Sequence, residues 1–241
     1  MSSTSAHAHA SAHATHAGTG TDRMALAYFD AATPYETVWQ RQQALVAARI
    51  ADEIGDTLLM GQHPPTITLG RGHRAPVPQA EGFAVVAVDR GGQATVHAPG
   101  QLVAYPIMKL PDGRRDLHGL MRQLEAALIA TLADFGITGQ HSPPPTAATP
   151  NGRSYTGVWV GARKIASIGL GARQWVTYHG LALNVTTDLH AFDAILPCGF
   201  APSVMTRMVD ANPALHAQNP KPLLDAVATR LTDALLEGLL T

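Results

Sequence analysis

Cysteine is almost missing from the chain. Cys198 stands alone among 241 residues, which excludes an intrachain disulfide and a cysteine-rich zinc site. Charge is sparse and balanced: 17 Lys and Arg face 18 Asp and Glu, so no long-range field gathers nucleic acid or anionic lipid. No uninterrupted apolar run approaches the roughly 18 residues that a spanning helix needs. Neither nucleic acid nor a membrane is therefore an expected partner. No phosphate loop ending in Gly-Lys-Ser/Thr occurs and no Gly-x-Gly-x-x-Gly opens a helix, so nucleotide binding has no local support. What the chain does have is apolar mass. At 46% hydrophobic residues it is far outside the disordered class.

Residues 1–22 hold His7, His9, His13 and His16 among Ala, Ser, Thr and Gly with no apolar face, which predicts a disordered tail ahead of one domain over 23–241. The tail has neither the basic start nor the apolar stretch of a secretory signal, so a cytoplasmic address is expected. Its histidines have no fixed geometry, and no metal site is expected.

Thr33-Pro34-Tyr35-Glu36 has the form of a capping box with proline at the first helical position, and Tyr35, Val38, Trp39, Leu45, Val46 and Ile50 recur at helical spacing. This predicts a helix over about 34–51. A second opens near Asp116 and stops at Gly136, and a third covers about 222–239. Thr66–Leu69, Phe83–Val88, Leu102–Ile107, Tyr155–Val160, Lys164–Leu170 and Trp175–Val185 read as strands between Gly and Pro clusters. Their irregular order favours an α+β fold with mixed sheets flanked by helices over a doubly wound one. The Pro-rich stretch 142–152 is expected to be a mobile loop that separates a larger N-terminal part from a smaller C-terminal one.

Four segments carry chemistry. In Arg90-Gly91-Gly92-Gln93-Ala94-Thr95-Val96-His97, the paired glycines admit close backbone approach to a ligand, with Arg90 and His97 as anchors; a hairpin with a Gly-Gly turn is the plainer alternative. Cys198 lies in a Pro-Cys-Gly turn, either as a small buried hydrophobe or as a thiol presented to a cleft. Lys164 opens the apolar run Lys164-Ile165-Ala166-Ser167-Ile168-Gly169, either as a solvated edge lysine or as a partly desolvated amine serving as a base. In Thr177-Tyr178-His179-Gly180-Leu181-Ala182, Gly180 permits close backbone approach, and His179 alone reads as a satisfied structural histidine.

Together with Gln62-His63-Pro64-Pro65-Thr66-Ile67-Thr68-Leu69-Gly70, Pro99-Gly100-Gln101 and Pro197-Cys198-Gly199, these segments make the span from Leu58 to Phe200 resemble the lipoyl(octanoyl) transferases. One position departs from the family pattern His-Gly-Pro-Gly-Gln: Ala98 stands at the first glycine. The resemblance implies a fold like the biotin/lipoate protein ligase catalytic domain. It implies transfer of an octanoyl or lipoyl group from acyl carrier protein to a lysine of lipoyl domains, those of 2-oxoacid dehydrogenase complexes and the glycine cleavage H protein. By the same match Cys198 is the acyl-accepting nucleophile and Lys164 favours its thiolate. Substrate binding falls to Arg90, Gly91, Gly92, Gln93, Ala94, Thr95, Val96 and His97, to Ser167, Ile168 and Gly169, and to Gly180, Leu181 and Ala182. Thioester exchange followed by aminolysis needs no cofactor and no ATP. The alternatives are an ATP-dependent lipoate or biotin ligase, and a non-catalytic module that holds an acyl chain or carrier domain.

Overall fold

The computed structural model describes residues 24–77, 80–142, 156–195, 197 and 200–240. Among these residues, ten strands and four helices follow one another as β1 (Ala25–Tyr28), α1 (Tyr35–Ile50), β2 (Thr57–Gly61), β3 (Thr66–Leu69), β4 (Ala84–Ala87), β5 (Ala94–His97), β6 (Gln101–Ile107), α2 (Leu117–Asp134), β7 (Gln140–His141), β8 (Gly157–Val160), β9 (Arg163–Arg173), β10 (Val176–Asn184), α3 (Met208–Ala211) and α4 (Pro220–Leu239). Seven strands form a mixed sheet in the order β1-β2-β6-β10-β9-β8-β7, and three form a smaller one in the order β4-β3-β5. The mixed-sheet α+β expectation is met.

Strand periodicity builds the core in layers. Leu58, Met60, Leu102, Ala104, Leu181 and Leu183 face α2 and α4, where Leu124, Leu128, Val227 and Leu231 meet them. Leu59, Val103, Tyr105, Tyr178 and Ala182 point the other way, onto Val38 and Val46 of α1. The small sheet buries Ile67, Ala94 and Val96 with Phe192, Ile195 and Met205.

Local signals explain most boundaries. Gly136 takes a left-handed φ of 69° after α2. There the Gly136 N–H donates to Ala133 O at 2.9 Å and Ile137 N–H to Leu132 O at 2.9 Å, the paired bonds of a Schellman stop. Gln174 (φ 48°) and Trp175 (φ 62°) form the two-residue turn joining β9 to β10, so Trp175 belongs to the turn and not to the strand.

Two expectations are corrected and one open alternative is excluded. The capping box does not form: Pro34 is itself the N-cap of α1 and no side chain caps it. The Pro-rich stretch does not divide the protein, because β6 before it pairs with β10 after it; residues 143–155 themselves lie outside the described set, as does the expected tail. The Gly-Gly pair is not a hairpin turn. β4 and β5 are not neighbours; β3 lies between them, parallel to one and antiparallel to the other.

Candidate active site

Because β3 intervenes, the chain from β4 to β5 must cross the end of β3, and Arg90–Gln93 is that crossing. Gly70 N–H donates to Gln93 O (3.2 Å), Arg71 N–H to Arg90 O (3.1 Å) and Gly72 N–H to Gly92 O (2.9 Å), while Gly91 N–H reaches Leu170 O of β9 (3.0 Å). The crossing thus ties the small sheet to the large one. The buried Arg90 guanidinium clamps it: Nη2 donates to Thr68 O (2.9 Å) and Oγ1 (2.8 Å), and Nη1 to Gly91 O (2.9 Å). A β-carbon on Gly70 would lie 2.6 Å from Gly92 O, so glycine is required there.

Between this crossing and the centre of the large sheet lies a narrow cleft of about 60 Å³. Register brings two of the predicted segments into one patch of its wall, since Gly180 pairs with Gly169, Leu181 with Ile168 and Ala182 with Ser167. Arg90, Gly91, Gly92, Gln93, Thr95 and His97 line the opposite side. Ala94 and Val96 do not line it; strand alternation turns them into the core of the small sheet. Gly180 does allow close approach, but to protein: a β-carbon there would run into the Ala104 carbonyl of β6.

Lys164 also lines the cleft and is 2% exposed, which removes the solvated-edge reading. Its Nζ lies 6.0 Å from the Trp159 ring centroid. Cys198 lies outside the described residues. Phe200, two residues on in sequence, packs edge-on against that same Trp159 at 5.7 Å.

Tyr35, Tyr105 and His179 complete the lining, and sequence reading placed none of them in the site. Tyr35 looked like one more residue of the apolar stripe of α1, and Tyr105 like one more aromatic of a buried strand. His63 sits behind them, fully buried, with Nε2 2.7 Å from the Tyr105 hydroxyl. Burial holds three histidines neutral: it pulls His63 down to about 2, His97 to about 4 and His179 to about 3, Arg90 adding to the last two. His97 Nδ1 is 2.8 Å from Gln101 Oε1, while Gln101 Nε2 donates to Val96 O and Asn184 Oδ1. Asn184 in turn donates to Thr206 O, and Thr206 N–H donates to Lys164 O. One buried polar chain therefore runs from His97 to the backbone of Lys164. The Ala98 departure costs no strain: the left-handed residue in that turn is Gly100, at φ 83°.

A hollow of about 990 Å³ opens elsewhere, beside the start of α2, where Arg49 pairs with Asp56 and Arg122 with Asp116. The smaller cleft gathers the buried titratable groups and is the candidate site. Among the described residues no group of His, Cys, Asp or Glu is placed to hold a metal ion, and no helix is long and apolar enough to cross a membrane.

Residues 34–235 match the lipoyl protein ligase A/B catalytic domain. The chain belongs to this family. It is 44% identical over 209 residues to an octanoyltransferase of Acidothermus cellulolyticus (84% of this chain, 88% of the relative) and 40% identical over 201 residues to one of Gloeobacter violaceus (82% and 86%). The fold is shared with lipoate-protein ligase A bound with ATP, at a TM-score of 0.68 and 18% identity over 89% of this chain and 84% of that one. A bipartite lipoate protein ligase of Thermoplasma acidophilum superposes at 0.63 with 18% identity, covering 89% and 82%.

Proposed function

We propose that this family member moves an octanoyl group from the thioester of acyl carrier protein to a lysine of a lipoyl domain, by way of a thioester on Cys198. The observation that carries the reading is the convergence of Arg90–Gln93, Thr95 and His97 with Ser167–Gly169 and Gly180–Ala182 on one cleft that also holds a buried lysine. In the first half-reaction the Cys198 thiolate attacks the donor carbonyl, the new C–S bond forms, and the carrier thiol leaves with a proton from Lys164. In the second, the acceptor amine attacks the acyl-enzyme, the C–S bond breaks, and Lys164 takes a proton from nitrogen. An amide replaces a thioester, so the sequence runs downhill without ATP. The acceptors are lipoyl domains, including those of 2-oxoacid dehydrogenase complexes and the glycine cleavage H protein.

Purified enzyme, octanoyl-acyl carrier protein and a lipoyl domain, mixed without ATP, are expected to give octanoylated domain. Transfer that appears only with octanoate and ATP would replace this reading with that of a ligase.

A further inference from the structure

Period 2 along β10 puts Leu181 and Leu183 on the face covered by α2 and α4, and Tyr178 and Ala182 on the face covered by α1. By count His179 belongs with the leucines. Its left-handed φ of 55° turns it to the other face, where its ring stacks on Trp39 at 4.4 Å and 7° and its backbone N–H donates to Gln42 Oε1 at 2.8 Å. A non-glycine residue in that region is strained, and strain held by two neighbours in the middle of a buried strand points to a use for the side chain.

The use is visible in what the ring separates. Nε2 lies 3.4 Å from Asp89 Oδ1, and Nδ1 lies 3.5 Å from the Tyr35 hydroxyl. A carboxylate only accepts, so Nε2 carries the ring proton. The charged and titratable groups facing the ring are Asp89, Arg90, His97, Tyr35 and Tyr178, and burial with Arg90 keeps it singly protonated. Nδ1 is therefore bare, and Tyr35 donates its O–H to it. Asp89 is itself fixed by the Tyr178 hydroxyl, which donates to Oδ2 at 2.9 Å.

We infer that Tyr35 is a hydrogen-bond acceptor for the entering lysine amine, its hydroxyl proton held by His179, which Asp89 orients. The inference rests on the octanoyl-transfer reading and adds a specificity to its second half. Of the reacting centres only the amine brings N–H bonds; the first half-reaction exchanges sulfur for sulfur. As the C–N bond forms, positive charge develops on nitrogen, and an oxygen polarised through His179 by a carboxylate stabilises it. The C–S bond to Cys198 then breaks, and the departing N–H proton goes to Lys164. Tyr35 gains and loses no proton. Asp89 and His179 are positioning residues.

The test separates the half-reactions. Enzyme preloaded with octanoyl groups is mixed with lipoyl domain in single turnover, and uptake of octanoyl from acyl carrier protein is timed separately. Tyr35→Phe is expected to slow aminolysis roughly a hundredfold, and Asp89→Ala about tenfold, with uptake within threefold of wild type in both. Asp89→Glu should recover most of the loss. Imidazole ¹⁵N shifts of His179 should report the Nε2–H tautomer in the wild type and a mixture in Asp89→Ala, which a merely structural Asp89 would not produce. An Nδ1–H tautomer in the wild type, or equal losses in both half-reactions, overturns the inference. Failure of the wild type to take up octanoyl at all overturns the transfer reading and this inference with it.

Discussion

Lys164→Met separates chemistry from architecture, because methionine keeps the unbranched stem and removes only the amine. The side chain is 2% exposed, and its Cε passes so close to Gly157 that a β-carbon there would lie 2.8 Å away. Methionine occupies that path without leaving the cavity that makes Lys→Ala costly. Because the stem still fills its path, the variant is expected to stay folded, with a urea midpoint close to that of the wild type. Activity falls. A positioned base contributes about 10²- to 10⁴-fold, or about 3–5 kcal/mol of transition-state stabilisation. Single-turnover octanoyl transfer and urea unfolding measured on the same preparation check both halves. Lys164→Arg sharpens the comparison: it supplies a fixed charge that accepts no proton, and should restore alkylation of Cys198 more than transfer. Transfer within threefold of wild type in Lys164→Met, or a loss matched by an equal loss of folded protein, would refute the reasoning.

Acid should unfold the protein through its buried histidines. Their folded values lie below the ordinary 6.5, so the unfolded chain binds protons first. The stability they contribute is full above about pH 6.5 and is lost as pH falls toward 4, with a slope reaching about 4 kcal/mol per pH unit for three protons. A urea midpoint that is flat between pH 6.5 and 5 would contradict their burial as neutral rings. Gly180→Ala forces β10 away from the Ala104 carbonyl of β6 and should cost about 3 kcal/mol or more, read as a lower thermal midpoint; an unshifted midpoint would mean the strands are not so close. Ala98→Gly restores the family residue but should destabilise by about 1 kcal/mol, because Ala98 is buried and its backbone is not left-handed. A stabilised variant would show that the position prefers the glycine conformation.

The three long helices and the aliphatic strands β3, β6, β9 and β10 were legible because period and punctuation agreed within each. β2 was missed because Thr57-Leu58-Leu59-Met60 is a continuous apolar run with no alternation to separate strand from helix. β5 was absorbed into the glycine segment, since no local signal tells a hairpin from a crossing over an intervening strand. Arg90, Lys164 and Gly180 were found through their motifs, yet two turned out to hold protein to protein: Arg90 clamps the crossing, and Gly180 admits β6. Tyr35 and His179 were invisible as a pair for a different reason. A tyrosine on an apolar stripe and a histidine in a strand look ordinary until the left-handed backbone at His179 sets them face to face.

The central claim is that Cys198 carries the acyl group. Enzyme quenched after mixing with octanoyl-acyl carrier protein, digested and mapped by mass spectrometry, should show one octanoyl group on the peptide containing Cys198 and none in Cys198→Ala. An octanoyl group on any other residue, or wild-type transfer by the alanine variant, would contradict the account.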